Sequence, residues 1–310
     1  MVAKYSVVIP IFNEELIINE TYSRLKEVLD KINEPYELIF VNDGSNDSSH
    51  KIIFEICKID PHVKLLDFSR NFGHQIAIGA GLDYAEGEAI ISIDADLQDP
   101  PEVILEMIRK WKEGYNVVYG KRVRRDGDAF LKKVAIKIYY RLLRTLTNYD
   151  IPADVGDFRL IDREVCNIIH NLPEKNRYLR GLVTWIGFNQ TFVEYARRGR
   201  IGGESKYSLA KLFHLAISGI TSFSYKPLRL ASYIGIILSI CSFFYLVLVI
   251  YLRIANDIPI GGWASMTATN LFFYGIVLII LGIMGEYIGK IYEETKNRPL
   301  YILKGKKGFK

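Results

Sequence analysis

The stretch AIISIDADLQDPP (residues 89–101) decides the reading. Its first part, AIISIDA (89–95), is short, apolar and rich in β-branched residues, the pattern of a buried strand. Its second part sets Asp94, Asp96 and Gln98 two residues apart, so on an extended chain all three point to one side. Two carboxylates and an amide oxygen are hard ligands, suited to Mg²⁺ or Mn²⁺ rather than zinc. Magnesium takes one or two carboxylates and completes its shell with substrate phosphates. Two acids on one strand end also repel each other unless a cation sits between them. Such a pair is often no more than a solvated turn. Here a buried strand precedes it and Pro100–Pro101 follows, which favours the metal reading.

Upstream, YSVVIPI (5–11), YELIFVN (36–42) and VKLLDFS (63–69) repeat the strand pattern. Helical periodicity at 14–32, 46–58, 75–86 and 101–113 separates the runs. This alternation predicts an α/β fold, Rossmann-like, with a mostly parallel sheet and helices on both faces. Ligands of such sheets gather at the carboxyl ends of the strands. The residues delivered there are polar: Asn13 and Glu14, then Asn42, Asp43, Gly44 and Ser45, then Arg70 and Asn71, then Asp94, Asp96 and Gln98. Asp43 reads as an Asp-Gly turn and helix cap, and a carboxylate there can also accept hydrogen bonds from a base or ribose. No GxGxxG or GxxxxGK[ST] pattern follows the first strand, so a dinucleotide or P-loop site is not supported. The five histidines show no HxxxH or HExxH spacing, and His74 in RNFGH reads as structural or substrate-adjacent.

The chain has 310 residues, a net charge of +5, 49% apolar and 24% charged residues, which excludes a disordered chain. Cys57, Cys166 and Cys241 lie far apart, so neither a disulfide framework nor a CxxC zinc site is available, and a reducing compartment is expected. The start MVAKYSVVIP has no long apolar run behind a basic start, so no signal peptide is expected. The charge is uneven: −5 over residues 1–194, +6 over 195–229, zero over 230–285 and +4 over 286–310. Between Arg229 and Arg253 lie 23 uncharged residues. At ~1.5 Å per residue they reach about 34 Å, enough for a hydrocarbon core of about 30 Å. A second uncharged run covers 258–285. The expectation is a two-helix transmembrane hairpin with basic flanks, both termini and the catalytic domain cytoplasmic, in the cell membrane. The competing reading is a pair of buried core helices.

Two basic amphipathic segments, 128–147 and 205–225, suit helices lying on an anionic bilayer surface. A core-facing helix with a solvated basic side is the alternative for each. The expected organisation is a catalytic domain (1–204), a juxtamembrane amphipathic helix (205–227), two transmembrane helices (228–286) and a basic tail (287–310). Gly235, Gly275, Gly282 and Gly285 leave packing into a homo-oligomer open.

The segments VVIPIFNEE, VNDGSNDSS, FSRNFGHQIAIGAGLDYA, ISIDADLQDPPE, GKR, GDFRLID and GGESKYS together resemble the family-two glycosyltransferases. More narrowly, they resemble the polyprenyl-phosphate group that contains the bactoprenol glucosyltransferases and dolichyl-phosphate mannose synthases. The resemblance runs from about residue 5 to 225 and extends to the paired C-terminal spans. It implies an A-type glycosyltransferase fold, a divalent metal (Mg²⁺ or Mn²⁺), a nucleotide-sugar donor, inversion at the anomeric carbon and a polyprenyl phosphate acceptor. It implies no nucleic-acid partner. By matching motif, Asp94, Asp96 and Gln98 would hold the metal and donor diphosphate, with Asp96 catalytic. Asp43, with Pro10, Asn13 and Glu14, would line the nucleotide pocket. Arg122 would face the donor phosphates, and Arg200, Ser205 and Lys206 the lipid phosphate. Asp157 would sit near the acceptor, as a base or as an orienting group. His74 stands where related sequences usually carry lysine. A QxxRW motif is absent from 160–230, which implies transfer of a single sugar. UDP-glucose or UDP-N-acetylglucosamine is the implied donor and undecaprenyl phosphate the implied acceptor, for cell-envelope glycan modification. A different lipid or glycan acceptor, or a non-catalytic scaffold, remains open at this level.

Overall fold

A computed structural model describes residues 3–123, 155–175, 179–196, 226–256 and 262–309. The predicted helices at 128–147 and 205–225, and Arg200, Ser205 and Lys206, lie outside the described residues.

The chain alternates strand and helix as its periodicity predicts. The first half runs β1 (Tyr5–Ile11), α1 (Ile18–Asp30), β2 (Tyr36–Asn42), α2 (Ser49–Ile59), β3 (Val63–Phe68), α3 (His74–Tyr84), β4 (Ala89–Ser92), α4 (Val103–Lys112) and β5 (Val117–Arg122). Then come β6 (Val155–Asp162), α5 (Arg163–Asn171), α6 (Leu179–Ile186), β7 (Gln190–Tyr195), α7 (Lys226–Asn256), α8 (Trp263–Thr295) and β8 (Leu303–Lys307). The eight strands form one sheet in the order β7-β5-β6-β4-β1-β2-β3-β8. The pairs β1–β2, β1–β4, β2–β3 and β5–β7 are parallel. The pairs β4–β6, β5–β6 and β3–β8 are antiparallel, so only β6 and β8 run against the rest.

Strands β1 and β2 are buried at every position, which is why their sequences are continuous apolar runs and not alternating ones. Tyr5, Val7, Ile9 and Ile11 face one core together with Ile18 and Leu25 of α1 and Ile104 of α4. Val8, Ile39, Val41 and Leu66 face the other, with Ala77 and Ile78 of α3 and Val165 of α5. Gly81 lets α3 lie close on β1: a Cβ there would stand 2.1 Å from Val8 Cγ1.

Residues 298–310 belong to the same compact unit as the sheet, and α7 and α8 form a second unit. Within α8, Thr269–Thr295 is long and apolar enough to cross a membrane and none of its apolar span is buried, whereas α7 offers the shorter apolar stretch Ala231–Tyr245. One candidate span is therefore present among the described residues where the sequence reading expects two. The segment read as a basic tail also contains β8, which the sequence reading does not anticipate.

Candidate active site

Four parallel strands deliver their polar ends to one edge of the sheet. Ile11 pairs with Asn42, and Asn42 with Asp67, so the loops after β1, β2 and β3 start at matched heights. The first two loops are tied together. The Asn13 N–H donates to Ser45 Oγ (3.0 Å), the Asn46 N–H to Asn13 Oδ1 (2.8 Å) and the Glu14 N–H to Ser49 Oγ (3.0 Å). Asn42 Nδ2 donates to Asp67 Oδ1 (2.7 Å).

Asp43 is 2% exposed. Its carboxylate accepts from the Phe72 N–H (2.6 Å) and the Gly73 N–H (3.0 Å), so it pins the loop after β3 to the end of β2. Burial pushes this carboxyl above its ordinary value, against the downward pull of the two amides. Gly44 is forced by this contact: φ is +67° and a Cβ would lie 2.4 Å from the Arg70 carbonyl carbon.

The acid stretch departs from the extended geometry read from its spacing. β4 ends at Ser92, and residues 95–97 turn, with Leu97 in the left-handed region at φ +53°. The two-residue period therefore does not align Asp94, Asp96 and Gln98. Asp96 folds back to accept the Gln98 N–H (3.2 Å), and Gln98 is buried. Asp94 Oδ1 lies 3.3 Å from His74 Nε2. No cluster of three His, Cys, Asp or Glu side chains suited to a metal occurs among the described residues. Two carboxylates with a substrate diphosphate still match what magnesium requires. Asp94 Oδ1, buried and paired with His74 at 3.3 Å, is the candidate oxygen for that role.

Asp157, on β6, is the hub of the site at 6% exposed. It receives Gln75 Nε2 (2.9 Å), Arg159 Nη2 (2.9 Å) and a two-pronged contact from Arg180 through Nε (3.1 Å) and Nη2 (2.9 Å). His74 Nε2 stands 3.6 Å away, between Asp157 and Asp94. Burial alone would raise the Asp157 carboxyl, but His74, Arg180 and Arg159 outweigh it and hold the group well below the carboxylate range. Burial likewise works against the imidazolium of His74, yet Asp157 and Asp94 push it up to about 10. The two carboxylates thus favour the cationic form of His74, the charge type that lysine would supply. A carboxylate clamped this way is a poor proton acceptor, so the geometry favours orientation over general-base work for Asp157.

Arg122 pairs with the buried Asp99 (3.1 Å) and donates to the Tyr195 hydroxyl (3.2 Å), which donates in turn to Asp99 (2.5 Å). Its guanidinium is therefore engaged inside the protein and braces the turn after the acid stretch. The Pro10 position lies within β1. Arg180, Arg159, Gln75, Asp99 and Tyr195 escaped the sequence reading. Gln75, Asp99 and Arg159 lie inside quoted motifs, whereas Arg180 and Tyr195 carry no local signal. Gln75 Oε1 and Arg159 Nη1 are buried polar atoms with no hydrogen-bond partner, and both fall in this strand-end region. Such a concentration marks a polar site shaped for a ligand.

Residues 6–169 match Glycosyl transferase family 2. The chain is 59% identical over 300 residues to the uncharacterized glycosyltransferase YkcC of Bacillus subtilis, covering 97% of this chain and 93% of that protein. It is 43% identical over 304 residues to the bactoprenol glucosyl transferase of Shigella phage SfX, covering 98% and 100%. Among solved structures, glucosyl-3-phosphoglycerate synthase from Mycobacterium tuberculosis with phosphoglyceric acid aligns at a TM-score of 0.48 and 19% identity, over 72% of this chain and 80% of that one. The matched span holds Asn13, Asp43, His74, Asp94, Asp96 and Asp157, the residues that the sheet gathers at its carboxyl edge. The chain belongs to the family-two glycosyltransferases, with the mixed α/β sheet of the A-type fold.

Proposed function

We propose that this glycosyltransferase moves a single sugar from a nucleotide-sugar, UDP-glucose or UDP-N-acetylglucosamine, to a membrane polyprenyl phosphate such as undecaprenyl phosphate. The observation that carries this reading is the match to bactoprenol glucosyl transferases over 98% of the chain, which takes in the C-terminal helices as well as the sheet. The product would be a lipid-phosphate-linked sugar serving cell-envelope glycan modification.

The site residues support an inverting, in-line attack of the lipid phosphate oxygen on the sugar C1. The second pKa of a phosphate monoester is about 6, so at neutral pH the nucleophile needs no base. Asp157 orients His74, Gln75 and Arg180 at the reacting edge. Donor and acceptor are both anionic, and the imidazolium of His74 and the Arg180 guanidinium offset that repulsion. Asp94 and Asp96, with Gln98, would hold a Mg²⁺ or Mn²⁺ that neutralises charge on the donor diphosphate. Asp43, Asn13 and Glu14 line the proposed nucleotide side of the edge; Arg200, Ser205 and Lys206 are proposed for the lipid phosphate.

The pairing of β8 with β3 supports two membrane crossings over one. The chain leaves the sheet after β7 and re-enters it at β8, which supports an even number of crossings between Tyr195 and Leu303. With α8 as one crossing, α7 is the proposed second, and both termini are proposed to lie on the cytoplasmic side with the sheet. Membranes carrying the protein, given radiolabelled nucleotide-sugar and extracted with organic solvent, should yield a mild-acid-labile lipid product. Label in a glycan or in an acid-stable lipid would transfer the reading to another acceptor. Absence of both transfer and donor hydrolysis would favour a scaffold.

A further inference from the structure

We propose that the C-terminal segment Tyr301–Phe309 is a positioning element for the donor site, clasping the loop that holds Asp43. This rests on the donor reading above.

The loop 69–73 links β3 to α3 and supplies the two amides that Asp43 binds. The C-terminal segment packs on β3 at the entry to that loop and on the far end of α3, the helix that follows it. On the β3 side, β8 pairs with Leu65–Phe68, and the Ser69 N–H donates to the Ile302 carbonyl (3.0 Å). The Tyr301 ring stacks on Phe68 at 5.1 Å and 12°, and Phe68 meets Phe72 edge-on at 5.6 Å. At the C-terminal end of α3, the Tyr301 hydroxyl donates to Asp83 (3.2 Å) and Phe309 packs against Tyr84 at 5.4 Å. Tyr301, Leu303 and Phe309 also complete the core on that face of the sheet. An aromatic relay, Tyr301–Phe68–Phe72, thus ends at a residue whose own amide is a ligand of Asp43. Five residues separate the end of α8 from Tyr301. The apolar helices are therefore covalently close to the clasp.

An aromatic pair contributes enough beyond burial to change an equilibrium by about three- to tenfold. In the full-length protein, Tyr301→Ala should weaken uridine diphosphate binding, measured by calorimetry with Mn²⁺, by about that factor. The donor KM should rise equally while kcat stays within about twofold. Hydrogen exchange at the Phe72 and Gly73 amides should speed up, with the strands β1 and β2 unchanged. Tyr301→Phe, which keeps the stack, should restore binding and protection. If Tyr301→Ala fails to fold, Tyr301→Leu makes the same comparison. Unchanged affinity and unchanged exchange at Phe72 and Gly73 would overturn the proposal, as would a kcat loss with an unaltered donor KM. If the unaltered chain binds no uridine nucleotide, the donor reading fails, and exchange at the two amides still decides whether the clasp exists.

Discussion

Replacing Asp157 by Asn removes one negative charge and almost no volume. What remains is one buried guanidinium, Arg159 at 2% exposed, with the partly exposed Arg180 and the exposed His74 beside it. Breaking a buried ion pair from one side costs about 3–5 kcal/mol, because the partner charge is left uncompensated. The Asn oxygen still accepts hydrogen bonds, so the lower figure applies, about 3 kcal/mol. In a domain of 150–250 residues each kcal/mol shifts melting by about 2–4 °C, giving a drop of roughly 6–12 °C. His74, deprived of one of its two carboxylates, should also titrate below the value of about 10 it holds in the intact site. The assay is thermal melting in detergent at neutral pH, paired with the pH dependence of turnover. A melting temperature within 2 °C of the unaltered chain would refute the hub. A pH–rate limb present in the unaltered chain and missing in Asp157→Asn would restore the general-base role.

Asp96→Ala should abolish turnover and metal-dependent donor binding without lowering the melting temperature by more than a few degrees, and undiminished transfer with chelator present would defeat the metal assignment. Gly81→Ala should lower stability by about 1–3 kcal/mol in a urea melt, since the new methyl would stand 2.1 Å from Cγ1 of Val8, a stiff β-branched side chain fully buried in β1. Asp60 is a second buried carboxylate held well below its ordinary value: burial opposes this, but Lys26, the His62 amide and Tyr22 prevail. A depressed carboxyl stabilises the fold above its unfolded pKa of 3.8 and loses that contribution as pH falls. Melting temperature should therefore hold from pH 7 to 5 and decline below about 4, with a shallower decline in Asp60→Asn.

The first half of the fold is legible because each strand is buried on both faces. YSVVIPI and YELIFVN meet that demand as runs that are apolar apart from Ser6, Glu37 and Asn42, and the observed β1 and β2 coincide with them. The loops between them are legible through their polar ends, so Asn13, Asp43 and Asp94 are found from order alone. Orientation is not. Asp96 turns because Leu97 adopts a left-handed conformation, which no local residue announces. The partners of Asp157 lie up to 83 positions away, at His74, and Arg122 meets Asp99 across 23 positions, so only the closed sheet reveals which charges neutralise which. β8 is hidden for a different reason. An edge strand rich in lysine, LKGKK, has the composition that keeps edges from aggregating, and in sequence this is the composition of a solvated tail.

The most direct test of the account is reconstitution. Purified protein in mixed micelles receives UDP-glucose or UDP-N-acetylglucosamine, undecaprenyl phosphate and Mn²⁺, and the organic phase is read by mass spectrometry. The account expects a lipid phosphate carrying one sugar, absent with Asp96→Ala. Free sugar and uridine diphosphate alone, or sugar on any acceptor other than the lipid phosphate, would contradict it.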